Sequence, residues 1–452
     1  MNRTVRALIL IAAIIASASM IAVNFVDPII VLVAVVGMVA LALLIKYINI
    51  GFYLMVFFYP FVDWQFVAWN VNIPYVDFFA LFVAVAFIIR TLLDWRSLKI
   101  KSVKEMAPGL GVAIIFWLAC VLSIAGNTAM GPLWPQIKYL LRPLVFFYLM
   151  FVLLPDNLIK TDKILDIVLK ILFWLGVLIG IDGLMSILLG AGPWYTHRAT
   201  PYPIFGRNLL GGNQNAVAEV LVVAIPIAMI LFSRCRHLKV RAWYAVSFIF
   251  MGLVLLMTFS RSGWLALLLQ LIILFVVYYR HRLNRHTLFA LLCVFVFIPL
   301  LLYFSLWQNI DWVRLSNSNR LLLTQVALYQ FAQHPIIGSG LNSFQTLVGS
   351  TFVYWVEFGD PLDSHGFVQK LMVETGSIGT LAFVGLLAYL FYLYLNNYRA
   401  AKTRSAKNQI LFFMLMFVGI VCFELFSTSY FVAKMWLPVG IGLVGSRLLR
   451  SG

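Results

Sequence analysis

The sequence is poor in charged residues, which excludes a soluble globular protein. Only 11% of its 452 residues are charged, whereas 63% are hydrophobic and the mean hydropathy is +0.98. No soluble core needs so much apolar material, so the composition predicts a polytopic membrane protein. The chain also lacks a Pro/Ser-rich linker and any segment that repeats at a fixed period. We therefore predict one membrane domain that covers residues 1–452.

Cysteine and clustered carboxylates are scarce as well. The four cysteines show neither metal-ligand spacing nor a pairing pattern, so we predict free thiols at Cys120, Cys235, Cys293 and Cys422. No group of carboxylates has the spacing of a metal site. The sequence therefore predicts no bound metal and no other cofactor.

Apolar runs of membrane-spanning length fill most of the chain. The third run is the weakest, because Pro60, Asp63 and Asn70 interrupt it. The first run has no obvious small-residue cleavage site, which favours a retained helix over a signal peptide. The pattern predicts an all-α polytopic integral membrane protein with about 12–14 transmembrane helices. The fourteen runs are 5–24, 28–45, 50–68, 75–93, 107–125, 135–153, 163–189, 213–233, 241–259, 262–279, 287–306, 365–395, 408–425 and 430–448.

The chain has 33 basic and 16 acidic residues, a net charge of +17. The basic residues cluster in short loops that alternate along the chain, which indicates membrane topology and argues against a nucleic-acid partner. With the N-terminus in the cytoplasm, most of them fall on the cytoplasmic side, and the C-terminus is cytoplasmic too. The loops that fix this orientation begin near Arg3, Lys46, Arg90, Lys160, Arg234, Arg280, Arg399 and Arg447.

Two larger loops are predicted on the outer side, at 190–212 and 307–364. Within the second loop, apolar residues recur at helical spacing over residues 319–333 (Leu322, Val326, Leu328 and Phe331). This spacing predicts an amphipathic helix at the outer membrane–water boundary. The outer region is therefore expected to carry short amphipathic helices.

Few arginines lie on the outer side, so each of them is informative. Several guanidiniums that face one cavity suit a phosphate or diphosphate, because the planar fork pairs with phosphate oxygens bidentately. The alternative for any one of them is a side chain that reaches the lipid headgroups. The candidates are Arg142 in the sixth run, Arg198 and Arg207 in the first loop, Arg261 in a tight reversal, and Arg320 in the second loop.

His365 lies where the second outer loop meets a long apolar run. An imidazole at such a boundary can stay neutral near pH 7 and accept a proton. On a continuous helix Gly376 and Gly379 share its face, which predicts close approach of a neighbouring helix. Asp363 and Asp360 are better placed than Glu374 to orient the ring. A histidine that merely caps a helix is the alternative.

Three motifs follow one another in the later half of the chain. They are Ser260-Arg261-Ser262-Gly263, then Arg320 with His334-Pro335-(two residues)-Gly338-Ser339-Gly340, then His365-Gly366-(nine residues)-Gly376-(two)-Gly379. Together they resemble the O-antigen ligase and polymerase superfamily of bacterial envelopes, from about Arg198 to Gly379. The family usually has Asn, Ser or Gln after the histidine, whereas this chain has Gly366.

The resemblance implies a membrane glycosyltransferase with a GT-C-like fold in the bacterial inner membrane. Such enzymes take a glycan from undecaprenyl diphosphate at the periplasmic face, without a metal and with inversion. Ligases pass the glycan to lipid A-core, and polymerases pass it to the next repeat unit. Carried onto this chain, Arg198 and Arg261 hold the diphosphate and His365 serves the acceptor. Arg320, Arg142 and Arg207 add to substrate binding, with Asp363 beside the histidine.

Two other functions stay open at this stage. A secondary transporter or flippase of an anionic or lipid-linked substrate accounts for many helices, buried acids and outer arginines. Against it, the special residues crowd one face, and no matching broken helices occur in two halves. A non-catalytic scaffold whose outer loops only bind is the third candidate.

Overall fold

The computed structural model describes residues 28–68, 71–93, 108–126, 133–146, 148–190, 198–203, 208–279 and 311–451. Helices dominate these residues. Before the first outer loop they are α1 (Pro28–Lys46), α2 (Ile48–Phe58), α3 (Tyr75–Leu93), α4 (Leu110–Gly126), α5 (Leu133–Tyr139), α6 (Leu154–Leu158) and α7 (Asp162–Leu188), with π-helical segments Leu140–Phe146 and Leu149–Leu153 between α5 and α6. After that loop they are α8 (Gln214–Arg234), α9 (Leu238–Met257), α10 (Arg261–Tyr279), α11 (Asp311–Gln333), α12 (Phe344–Gly349), α13 (Phe352–Phe358), α14 (Phe367–Ala400), α15 (Arg404–Glu424) and α16 (Ala433–Ser451), with a 3₁₀ turn at Ser429–Phe431.

The described helices confirm an all-α polytopic membrane protein. Eight of them are long and apolar enough to cross a membrane, or nine spans if one bent pair counts as a span. This count lies below the predicted 12–14. Two of the predicted runs, 5–24 and 287–306, fall outside the described residues. Helix α4 is apolar but shorter than the other spans. The three cysteines in the described part of the chain are free thiols, as predicted, and Cys293 lies outside it.

The third predicted run, 50–68, does not form one continuous helix. Helix α2 ends at Phe58 and meets α1 at an angle of 108°. The chain then forms a small antiparallel hairpin of β1 (Gln65–Ala68) and β2 (Val71–Pro74), in which Phe66 pairs with Ile73. Pro60 has no N–H to continue the helical ladder, so the apolar run is broken where the proline stands.

Helix α8 lies at the centre of the bundle and is enclosed by α7, α9, α10 and α15. Small residues let it approach its neighbours closely, as expected where lipid supplies no hydrophobic drive between helices. A Cβ added to Gly176 on α7 would overlap Ala224 of α8. The core is consequently a tight packing of spans rather than a water-filled barrel.

A buried glutamine repairs a break in α8. Pro226 lies inside this helix and has no N–H, so the Val222 carbonyl one turn earlier loses its usual donor. Gln270 Nε2 on α10 donates to the Val222 oxygen at 3.0 Å and to the Leu415 oxygen of α15 at 3.0 Å. This amide joins α8, α10 and α15, and it fixes the helix that begins at Arg261.

The two ends of the bundle differ in character. At one end α9 stops, α10 and α14 begin, and the outer helices α11, α12 and α13 pack; we call it the site end. At the other end ion pairs join the helix termini, with 3.1 Å between Arg234 and Asp162 and 2.7 Å between Arg447 and Asp156. Among the described residues, the basic segments 234–241 and 399–407 lie at this second end.

Candidate functional site

The first residue of α10 is Arg261, and a rigid turn holds its backbone. Ser260 caps the helix because its Oγ accepts the Gly263 N–H at 3.3 Å and donates to Asn215 Oδ1 at 2.7 Å. Phe259, just before, adopts a left-handed conformation with φ 53°. Gly263 is needed for packing, since a Cβ there would lie 3.0 Å from Ala218. The Ser-Arg-Ser-Gly motif therefore builds a tight reversal that presents one guanidinium.

Arg198 enters the site end through its backbone. The next residue, Ala199, donates its N–H to the Met257 oxygen at the end of α9, 3.0 Å away. Ser186 Oγ donates to the Arg198 oxygen at 3.4 Å. Asp182, an acid that the sequence places inside a span, accepts the Tyr202 N–H at 3.1 Å and so anchors the same segment. The backbone beside Arg198 thus contacts the last residue of α9, Met257, which stands four residues before Arg261 in the sequence.

Helix α11 carries Arg320 and contacts the other motifs at two points. Arg261 Nη1 donates to Asn317 Oδ1 at 2.6 Å, one turn before Arg320. Gln369 Nε2 on α14 donates to Thr324 Oγ1 at 2.7 Å, one turn after Arg320. Hydrogen bonds on both sides therefore hold Arg320 between the start of α10 and the start of α14.

Helix α11 differs from the predicted 319–333 helix. It extends back to Asp311, and its buried side chains are Leu323, Val326 and Ala327, which pack on α12, α13 and Val373 of α14. Leu328, predicted on the apolar face, is instead 54% exposed. The helix thus packs against protein along one face, and its position at a membrane boundary stays a prediction.

His365 precedes α14 rather than lying within it, so the predicted common helical face with the glycines is wrong. Its neighbours fix it on both sides: Ser364 Oγ donates to the Gly366 oxygen at 2.6 Å and accepts the Gly366 N–H at 3.1 Å. A Cβ on Gly366 would lie 2.6 Å from the Leu425 oxygen at the end of α15. Glycine after the histidine therefore allows the segment to lie directly on that carbonyl.

The imidazole of His365 is half-buried and surrounded by opposing charges. Its pKa is lowered from its ordinary value to about 4, first by burial, then by Arg320, and also by Arg261, while Asp363 acts in the opposite direction. The ring is neutral at pH 7 as a result. Arg261, Arg320 and His365 therefore lie within electrostatic reach of one another at the site end.

Asp363 contacts a lysine. Both of its carboxylate oxygens accept from Lys370 Nζ, at 2.8 and 2.6 Å, and its Oδ1 also accepts the Ser364 N–H at 2.8 Å. Glu374 contacts the same lysine, with 3.7 Å between Nζ and Oε1. The influence of Asp363 on His365 is thus exerted through its charge and through the backbone of Ser364.

The glycines of the second and third motifs meet each other. Helix α14 is kinked at Gly376, where φ is 64°. Ser339 N–H donates to the Val373 oxygen at 2.7 Å, and Ser377 N–H donates to the Pro335 oxygen at 2.8 Å. A Cβ on Gly338 would lie 2.5 Å from the backbone of Glu374. The loop 335–340 therefore lies where the sequence predicts a neighbouring helix, and that prediction is wrong.

Two predicted site residues cannot be placed relative to this arrangement from the described residues. Arg207 lies outside the described residues. Arg142 lies in the π-helical segment Leu140–Phe146, and its side chain is likewise outside what the structure describes. Their assignment to substrate binding stays a prediction. What the described residues assemble is a neutral imidazole beside guanidiniums, an arrangement that can accept a proton next to a bound anion.

Comparison with known families shows which proteins this part of the chain resembles. Residues 246–384 match the model of a family described as O-antigen ligase. This region is similar to the O-antigen ligase family. The O-antigen ligase region includes Arg261, Arg320 and His365, and it ends after the Gly376 kink, whereas Arg198 precedes it. The predicted resemblance to the O-antigen ligase and polymerase superfamily is confirmed over these residues. No curated protein matches the chain.

Sequence reasoning missed several residues that build the site. Asn317 and Gln369 are ordinary polar residues without a pattern that would reveal their partners. Lys370 did carry a signal, because it stands in an apolar run four residues before Glu374, the spacing of a helical ion pair. A charge inside an apolar helix is a functional candidate by default.

Proposed function

We propose that this protein transfers a glycan from an undecaprenyl-diphosphate-linked donor to an acceptor hydroxyl at the periplasmic face of the bacterial inner membrane. The O-antigen ligase family supports a membrane glycosyltransferase of ligase or polymerase type. The observation that carries the proposal further is the neutral His365 beside Arg261 and Arg320. The imidazole can accept the proton of the acceptor hydroxyl, and the two guanidiniums can bind the diphosphate.

On the donor side, the task is to stabilise charge that grows on the departing diphosphate. The bond between the anomeric carbon and the phosphate oxygen breaks, and its electron pair leaves with the diphosphate. Fixed guanidiniums lower the barrier of this step because they need no reorganisation as the charge develops. Arg261 is fixed by the turn around Ser260 and Arg320 by α11; Arg198 is proposed to add to them.

On the acceptor side, the hydroxyl oxygen forms the new bond to the anomeric carbon and passes its proton to His365. With a pKa of about 4 the free imidazole is a weak base. A bound diphosphate offsets the charge of Arg320 and Arg261, so donor binding raises the pKa of His365 toward the range in which a base is effective. The base therefore gains strength only when the donor is in place. Attack on the face opposite the diphosphate inverts the anomeric centre.

The orientation follows from charge. The basic loops at the end opposite the site end are proposed to face the cytoplasm, with both termini. The site end then faces the periplasm, where lipid A-core or the next repeat unit supplies the acceptor. No metal, other cofactor or nucleic acid takes part in this proposal, and membrane lipids surround the spans.

The test is a glycan profile of a strain that lacks the gene, complemented with wild type, His365→Ala or Arg261→Ala at matched expression. His237→Ala and Arg399→Ala are the matched controls, because both residues lie at the opposite end of the bundle. We expect both site variants to lose long glycan and to accumulate carrier-linked donor, while both controls restore it. Full complementation by both site variants refutes the proposal.

The accumulated product separates the remaining alternatives. Single repeats on lipid A-core indicate a polymerase, and long chains left on the carrier in the periplasmic leaflet indicate a ligase. Carrier-linked glycan that stays in the cytoplasmic leaflet indicates a transporter or flippase instead.

A further inference from the structure

Lys370 is a buried cation that the proposed chemistry does not use. It lies in the first turn of α14 and is 2% exposed. Its Nζ lies 2.6 Å from Asp363 and 3.7 Å from Glu374, and the rings of Tyr139 and Phe431 lie 5.5 and 5.3 Å from it. Removing a charge from water costs several kcal/mol unless close partners compensate it. The chain supplies two carboxylates and two aromatic faces for this one ammonium.

The first carboxylate belongs to the segment that carries the imidazole. Asp363 stands two residues before His365, and its Oδ1 also accepts the N–H of Ser364. The Ser364 hydroxyl then closes both hydrogen bonds with the Gly366 backbone. The position of the Asp363 carboxylate therefore fixes the backbone of Ser364 and Gly366, the residues on either side of His365.

The second carboxylate belongs to the kink of α14. Glu374 Oε1 accepts the Phe344 N–H at 3.4 Å, and its backbone oxygen accepts from Gly340 N–H at 3.1 Å and from Ser123 Oγ. Glu374 is fully buried. Lys370 therefore connects the segment before α14, which carries His365, to the hydrogen-bonded backbone at the kink.

We propose that Lys370 is a positioning residue for His365, whose ammonium clamps the Asp363 carboxylate to α14 and thereby fixes the imidazole beside Arg261 and Arg320. The proposal rests on the proposed function only where it assigns this histidine to the acceptor. Besides positioning the ring, Lys370 affects its protonation. The ammonium offsets the negative charge of Asp363, which would otherwise favour a protonated ring.

A direct test follows the protonation of His365 without any substrate. Three charged groups influence the ring: Arg320 from α11, Arg261 from α10 and Asp363 from its own segment. Without Lys370 the Asp363 charge is no longer offset, so the pKa of His365 rises. Diethyl pyrocarbonate reacts with neutral imidazole, and peptide mass spectrometry of the full chain in detergent reports the rate at His365 as a function of pH.

In wild type the rate should fall to half near pH 4, the pKa of His365. In Lys370→Met we expect this midpoint to rise by about one pH unit, the size of one unscreened neighbouring charge. Lys370→Arg keeps the charge and should retain the wild-type midpoint. If Lys370→Met does not accumulate, Lys370→Gln carries the same expectation. A midpoint that stays at the wild-type value in the neutral variants overturns the proposal.

Lys434→Met is the matched control. Lys434 is also a buried lysine at the site end, paired with Glu219 at 3.3 Å, but it joins α16 to α8. Lys434→Met should leave the midpoint of His365 unchanged. If it shifts the midpoint as much as Lys370→Met does, the proposal is overturned, because loss of any buried lysine at the site end would then have the same effect. Glycan synthesis is measured in parallel, and Lys370→Met should lose about 10-fold or more. If the His365 midpoint shifts in Lys370→Met but a strain with His365→Ala still makes long glycan, Lys370 positions His365 as proposed and the proposed function is wrong.

Discussion

Replacing Gly338 by alanine should open the contact between the loop 335–340 and α14. Gly338 has a φ of 76°, which alanine adopts only with strain. The added Cβ would lie 2.5 Å from the carbonyl carbon and oxygen of Glu374 and from the nitrogen of Gly376. These are backbone atoms of a buried kink, so no side-chain rotation can relieve the overlap.

The cost can be worked out from two contributions. A left-handed alanine costs about 1–2 kcal/mol. Separating the backbones weakens the hydrogen bonds that cross the contact at Ser339, Gly340, Ser377 and Ile378, each worth about 1 kcal/mol net. If two of them are lost, the total is about 3–4 kcal/mol, a large part of the ~5–15 kcal/mol by which a protein is stable.

The assay combines thermal unfolding in detergent with hydrogen exchange at the Ser377 and Ile378 amides. Gly385→Ala is the matched control on the same helix, because a Cβ there meets nothing within 4 Å and alanine favours a helix. We expect faster exchange and a lower Tm for Gly338→Ala, and no loss for Gly385→Ala. Wild-type exchange at both amides in Gly338→Ala would refute the reasoning.

Four further outcomes are expected around the same site. Arg261→Lys keeps the charge but loses the bidentate fork, so transfer in membrane vesicles should fall about 10²-fold, whereas Arg399→Lys should not change it. Gly366→Ala places a Cβ 2.6 Å from the Leu425 oxygen, and long glycan should fall although the protein accumulates normally. The pKa of His365 is about 4 in the folded chain against an ordinary 6.5, so the unfolded chain binds more protons in this window. Stability should therefore drop as the pH falls from 6.5 toward 4, and a Tm series should show a shallower drop in His365→Gln. Transfer should also continue in EDTA if no metal takes part.

Membrane spans were predictable because hydropathy and length are properties of a single segment. The run 75–93 became α3 with the same bounds, and the run 163–189 became α7. The run 50–68 failed because hydropathy counts apolar residues without weighing a proline that ends a helix. Its residues instead form most of α2 and the first strand of a hairpin.

The site was only partly predictable, because its partners are distant in the sequence. Motif order pointed to Arg261, Arg320 and His365, which the structure brings together. The same motifs gave no hint that Gly338 and Gly376 face each other, since that depends on how a loop folds back on a helix kink. Nor could spacing show that Asp363 binds Lys370 rather than the imidazole.

On the proposed function, the kink of α14 also sets the depth at which substrates meet. This helix has 34 residues, or about 51 Å at ~1.5 Å per residue. Residues 377–400 account for about 36 Å of it, which already exceeds a ~30 Å hydrocarbon layer. If residues 377–400 fill the hydrocarbon layer, we expect the turns before Gly376, and His365 ahead of them, at the level of the lipid headgroups. On the proposed function, the diphosphate then never has to enter hydrocarbon. Donor and acceptor lipids anchored in one leaflet reach the site by lateral diffusion, in two dimensions rather than three.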